Sequence, residues 1–152
     1  MAILETHHLS RRYGPLVALD DLNLKVEAGE CFGFIGPNGA GKTTTIKILA
    51  TLLKPSSGEA RVCGFTVGWQ NTHIRPLIGY VPDFLGAYDD MLVREYLQFF
   101  ASCYGITGSR RTQVVDDALS LTDLGGKAEA PISGLSRGMS QRLAVARVLL
   151  HD

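Results

Sequence analysis

The chain has 152 residues, about one domain by the usual ~100 to 200 residues, and 45% of them are hydrophobic, which excludes disorder. Fifteen Lys and Arg balance 15 Asp and Glu; the first 76 residues carry 8 basic and 6 acidic side chains and the remainder 7 and 9, so neither half is the basic face that nucleic acid requires. No apolar run reaches the ~18 residues of a membrane helix, and the best candidate, Leu143 to Leu150, is broken by Arg147.

Met1 to His8 has no basic stretch before its apolar residues and does not read as a secretory signal. Ile3-Leu4, Leu16 to Leu19, Leu22, Leu24, Val26 and Cys31 to Ile35 alternate or run apolar in the β manner, with Ala28-Gly29-Glu30 as a turn. This predicts a small β subdomain ending in a buried strand. From Lys42 the period becomes 3.6, with Ile46, Leu49, Ala50 and Leu53 on one face, until Pro55-Ser56-Ser57-Gly58 stops the helix. Glu59 to Phe65 and Leu77 to Val81 read as strands on either side of the polar stretch Gly68 to Pro76. A helix capped by Asp89 or Asp90 runs through Tyr104, with Leu92, Tyr96, Phe99, Phe100 and Cys103 as its apolar face. A second from Ser109 groups Val114, Val115, Ala118 and Leu119. After the Pro131 to Leu135 loop, a third carries Met139, Leu143, Ala146 and Leu150.

Cys31, Cys63 and Cys103 are odd in number and lack C-x-x-C spacing, so we expect small buried hydrophobes in a reducing, cytoplasmic compartment. His7 and His8 would point to opposite faces of their strand, and His73 and His151 stand alone, which argues against a metal cluster.

Gly36-Pro37-Asn38-Gly39-Ala40-Gly41-Lys42-Thr43 matches G-x-x-x-x-G-K-[ST] between an apolar stretch and an amphipathic helix. Its glycines allow successive N–H groups to point inward as a nest for phosphate oxygens at the positive end of the helix. Lys42 would reach the β- and γ-phosphates, and Thr43 would offer its hydroxyl to Mg²⁺. A Gly-rich turn that merely precedes a helix would need none of the remaining motif.

Further on, Leu135-Ser136-Arg137-Gly138-Met139 opens the helix that carries Arg142 and Arg147. Ser136 can cap that helix, and the N–H groups near Gly138 make a second anion site. With the phosphate loop, this stretch resembles the ATP-binding domain of ABC transporters, whose signature reads L-S-G-G-Q. The resemblance covers essentially the whole chain. It implies an α/β fold, a P-loop NTPase domain of ABC type with an N-terminal antiparallel β subdomain, a parallel core sheet and a helical subdomain, truncated before the Walker B strand. The implied divisions are 1–35 for the β subdomain and P-loop strand, 36–83 for the P-loop, helix and Q-loop region, 84–135 for the helical subdomain and 136–152 for the signature helix.

The same resemblance implies ATP and Mg²⁺ as cofactors, with Thr44 beside the loop residues in the binding set. Tyr13 corresponds to the aromatic that stacks on adenine. Ser136, Arg137 and Gly138 correspond to the segment that closes over the γ-phosphate of ATP held by a second ATP-binding domain. Arg137 replaces the usual Gly and Met139 the usual Gln; Arg137 either adds positive charge near the triphosphate or is a solvated residue. Ile78 to Asp83 resembles the approach to the Q-loop with Asp83 in place of Gln, either a Mg²⁺ ligand or a loop aspartate serving a turn. The wording Val81-Pro82-Asp83-Phe84 resembles the export branch that serves drug, antibiotic or sodium efflux permeases. The implied partner is therefore a polytopic membrane permease subunit, with the chain peripheral at the inner face of the cell membrane and no nucleic acid partner.

Four apolar residues followed by Asp-Glu, which the family uses for Mg²⁺ and the attacking water, occur nowhere in the sequence. No catalytic residue is therefore assigned, and the expectation is an N-terminal part of an ABC domain with Phe32, Phe34 and Ile35 short of strand partners. Poor stability alone, weak ATP binding and negligible turnover follow. The alternatives are a non-transport ABC protein, a non-hydrolysing ATP-binding fragment, and a nucleotide kinase in which the Ser136 motif is accidental.

Overall fold

The apolar alternation of residues 2–27 builds a hairpin of β1 (Ala2–Tyr13) and β2 (Leu16–Glu27), turned by Gly14 at φ 56. These are features of a computed structural model that describes residues 2–86, 88 and 90–151. Asp89, one of the two expected helix caps, lies outside the described residues. The chain divides into two units, Met1–Ile78 and Gly79–Asp152.

In the first unit β3 (Ser57–Val62) joins the other edge of β1, and the two-residue β4 (Phe65–Thr66) extends the sheet to the order β2-β1-β3-β4, antiparallel throughout. Register shifts in β1 place His8 and, on β2, Asp21 at φ 49, where a bulge twists the strands. Gly58, at φ 77, lies so close to the His8 carbonyl that a side chain there would collide with it. One face of the sheet buries Leu9, Leu19, Ala60 and Val62 against Ile48 and Leu49 of α1 (Lys42–Leu49). Ile74 of the one-turn α2 (Asn71–Ile74) completes this core and is fully buried.

Three expectations change here. Residues 31–35 form no strand: Phe32 is half exposed, Ile35 is 98% exposed, and the Phe32 ring meets Phe34 edge to face at 5.2 Å. A strand buried on both faces needs hydrogen-bonding neighbours on each side, and no described residue supplies one, so the parallel core sheet is not formed among the described residues. Leu77 to Val81 is likewise not a strand, because a 3₁₀ turn at Arg75–Leu77 leads into extended chain without a partner. On α1 the buried face is Thr45, Ile48 and Leu49, whereas Ile46 is 42% exposed.

The second unit is a three-helix core. α3 (Val93–Cys103), α4 (Gly108–Leu121) and α5 (Arg137–Val148) bury Val93, Tyr96, Leu97, Ala101, Val115, Leu119, Leu143 and Ala146 together. The start of α3 is fixed by Glu95, whose carboxylate accepts the Leu92 N–H at 2.9 Å; Asp90 makes no such cap. The helix is rotated from the expected face. Small Ala101 and β-branched Val93 face inward, where the Ile106 N–H returns to Ala101 O, and the bulkier Phe99 is left 54% exposed. Arg142 donates to Thr122 O and Asp123 O, both at 3.3 Å, and so closes the end of α4.

All three cysteines are exposed, not buried. Cys31 lies on the unpaired segment, Cys63 in the β3–β4 turn at φ 50, and Cys103 in the last turn of α3. Among the described residues no helix is long and apolar enough to cross a membrane.

Candidate nucleotide-binding site

Residues 36–44 owe their shape to two left-handed glycines. Gly39 has φ 85 and Gly41, the N-cap of α1, has φ 86. Only glycine adopts these values without cost, and at Gly41 a Cβ would also lie 2.7 Å from Ala18 O and 3.1 Å from Leu19 Cδ1. The helix start is thus pressed directly on β2. The first intrahelical bond runs from the Thr45 N–H to Gly41 O at 2.9 Å, so the amides of Lys42, Thr43 and Thr44 precede it and have no acceptor within the helix.

The three consecutive threonines divide by depth. Thr45 is buried, and its hydroxyl donates back to Gly41 O at 2.9 Å, fixing the turn. Thr44 is half-buried and Thr43 exposed. Lys42 Nζ folds over the loop and donates to Gly36 O and Pro37 O, both at 2.6 Å. Ala40 N–H closes a turn on Pro37 O at 3.3 Å. Two of the ammonium protons thus rest on loop carbonyls.

A cavity of about 300 Å³ opens here, lined by Leu16, Val17 and Ala18 of β2 and by Asn38, Gly39, Gly41, Lys42, Thr43 and Thr44. Six of the predicted loop residues therefore share one cavity. Gly36 and Pro37 take part through their carbonyls, and Ala40 forms the turn. Tyr13, opposite Leu16 in the β1–β2 register, is 45% exposed, with the Arg11 guanidinium 4.6 Å from its ring centroid. The β2 lining and Arg11 were not singled out in the sequence. The spacing of Arg11 two residues before Tyr13, on one strand face, is the signal that would have found it.

Asp83, Ser136, Arg137 and Gly138 all belong to the second unit. Ser136 caps α5 as expected, its Oγ accepting the Met139 N–H at 3.3 Å, while Arg137 and Gly138 are exposed in the first turn. Replacing Ser136 with Ala should lower the thermal stability by ~0.5 to 1 kcal/mol, read as a small fall in Tm, since one first-turn amide loses its partner. Asp83 is exposed and lines, with Val81, Pro82, Gly138, Gln141, Arg142 and Val145, a second cavity of about 440 Å³. The chain leading to it is held by Arg147, which donates to Tyr80 O at 3.0 Å and to the Tyr96 hydroxyl at 3.2 Å while lying over Phe100. Burial pushes the Tyr96 hydroxyl above the usual tyrosine pKa, and the Arg147 charge opposes this. Gly79 passes so close to Val148 that a side chain would collide with it. The sequence pattern places Arg147 on a helix, and its anchoring role depends on residues 51 and 67 positions away.

The family model for ABC transporters matches residues 19–152. The chain belongs to the ABC transporter family. It is 39% identical over 152 residues to the Nod factor export ATP-binding protein I of Burkholderia pseudomallei strain K96243, covering 100% of this chain and 50% of that protein. The protein of the same name from Ralstonia nicotianae is 39% identical over 150 residues, covering 99% and 47%. The chain thus spans about half the length of these relatives. Among solved structures, an ATP-binding subunit of an ABC transporter superposes with a TM-score of 0.82 at 28% identity, covering 97% of this chain and 62% of that one. CbiO1 from Clostridium perfringens, part of the ABC transporter complex CbiONQ, gives 0.81 at 27% identity over 99% and 62%.

Membership of the ABC family implies ATP, and the loop of residues 36–44 offers N–H groups, an ammonium and hydroxyls at one cavity. Among the described residues no three His, Cys, Asp or Glu side chains converge, and Mg²⁺ bound to phosphate needs only one or two protein oxygens. Thr43 is exposed and lines the cavity, and a hydroxyl is an oxygen of that kind.

Proposed function

We propose that this chain is the nucleotide-binding part of an export-type ABC ATPase, holding Mg-ATP on residues 36–44. The observation that carries the reading is the loop itself. Two left-handed glycines, first-turn amides without intrahelical acceptors and the Lys42 ammonium border one cavity, which suits a phosphate group. Thr43 would hold the Mg²⁺, which when bound neutralises phosphate charge. Lys42 would exchange its two carbonyl partners for phosphate oxygens. Tyr13 would take the base.

Asp83, one methylene shorter than the family's Gln, is proposed as a second oxygen toward the same cation. Ser136, Arg137 and Gly138 are proposed as the cap that a second ATP-binding domain receives on its γ-phosphate. Support for this lies in the capped start of α5, whose exposed first turn offers further N–H donors beside the Arg137 charge. A polytopic permease subunit would complete the transporter and place the chain at the cytoplasmic face of the membrane. The export-named relatives support that direction.

The reading is tested by titrating the chain with Mg-ATP and with Mg-tripolyphosphate in a calorimeter. Both should bind and release heat in a one-site isotherm, while phosphate release from Mg-ATP stays at the background rate, because no Asp-Glu follows an apolar strand within these residues. Absence of heat with either ligand would overturn the nucleotide assignment.

A further inference from the structure

Arg11 precedes Tyr13 by two residues on β1, and its guanidinium makes two contacts. Its guanidinium lies 4.6 Å from the Tyr13 ring centroid, and Nη1 donates to Lys54 O at 2.9 Å. Nε is buried and has no hydrogen-bond partner, so on that side the group is retained by stacking and packing. Lys54 follows α1, the helix whose first turn borders the phosphate cavity. Two more bonds tie the same stretch to β1, Arg12 N–H to Ser56 Oγ at 3.0 Å and Ser56 N–H to Ser10 O at 2.9 Å. The segment after α1 is thereby clamped to the strand end that carries Tyr13.

We propose that Arg11 is a positioning residue for the nucleobase: it backs the Tyr13 ring so that the opposite face takes a purine, and so lets the site distinguish a nucleoside triphosphate from bare polyphosphate. The inference rests on the nucleotide reading above and deepens it. Stacking needs a ring fixed in orientation, and Tyr13, 45% exposed at the hairpin end, has the Arg11 guanidinium over one face. The cation also draws π density toward itself, which lowers repulsion between the far face and an electron-rich base. Leu16, the cross-strand partner of Tyr13, lines the phosphate cavity, so base and phosphates can belong to one ligand.

The experiment titrates the full chain and its variants with Mg-ATP and Mg-tripolyphosphate. Arg11→Met should weaken Mg-ATP by ~3-fold with tripolyphosphate unchanged, and Arg11→Lys, which keeps a cation, should recover most of the loss. In a Tyr13→Ala background, Arg11→Met should have no further effect on Mg-ATP. Equal weakening of both ligands, or a loss that persists without Tyr13, would assign Arg11 a general structural role and overturn the proposal. Unchanged Mg-ATP affinity in Arg11→Met would do the same while leaving the phosphate-loop reading intact. Failure of the unsubstituted chain to bind tripolyphosphate removes that reading, and this one with it.

Discussion

Lys42→Ala should abolish measurable binding of both Mg-ATP and Mg-tripolyphosphate, a loss on the order of 50-fold or more, while leaving the melting temperature of the nucleotide-free chain nearly unchanged. The asymmetry follows from what Lys42 touches. Without ligand, its ammonium rests on the carbonyls of Gly36 and Pro37 in an exposed loop, where water replaces it readily. With ligand it faces several phosphate charges beside a helix N-terminus, and charge-assisted hydrogen bonds of this kind contribute about 1.5 to 3 kcal/mol each. Calorimetry gives the affinity and a thermal scan without nucleotide gives the stability. A large fall in Tm in the absence of ligand would mean that the lysine serves the fold and not the phosphate.

Gly41→Ala should cost both stability and binding. The residue sits at φ 86, where an L side chain costs about 1 to 2 kcal/mol, and the added methyl would lie 2.7 Å from Ala18 O. Relief requires the start of α1 to move away from β2, which also takes Lys42 and Thr43 out of the cavity they share with Leu16, Val17 and Ala18. The expected result is a loss of about 2 to 3 kcal/mol in unfolding free energy and at least ~10-fold in tripolyphosphate affinity. Chemical denaturation and calorimetry on the same preparation check the pair. Gly39→Ala is the control: its φ of 85 carries a similar backbone penalty, but no atom lies within 4 Å of the added carbon, so it should destabilise less.

How much of this was legible before folding differs from one element to the next. The glycine-rich loop was readable because its pattern is local: eight consecutive residues contain the glycines, the cation and the hydroxyl, and the helix after them announces itself by period. The Ser136 cap was readable for the same reason, since an N-cap and the amide it accepts are three residues apart. The β1–β2 hairpin followed from alternation. The face of α3 did not, because which of two adjacent stripes turns inward depends on the helix it meets: Ala101 is buried and Phe99 is left 54% exposed. Ile74 was hidden in a polar stretch whose Asn71 and Gln70 side chains are used up in folding the turn. The cysteines were misplaced because apolar neighbours in sequence are no guarantee of neighbours in space.

The sequence by itself determined the family, the glycine-rich loop of residues 36–43 and the Ser136 cap, and each of these motifs is made of residues a few positions apart along the chain. Tertiary structure alone decided that residues 31–35 remain unpaired, that Arg147 holds the segment before Asp83, and that Arg11 stands behind Tyr13. The physical reason is range. Caps, turns and glycine conformations are set by neighbouring residues, whereas strand pairing, helix rotation and the stacking of a guanidinium on a ring braced from Lys54 depend on groups that the chain brings together only when it folds.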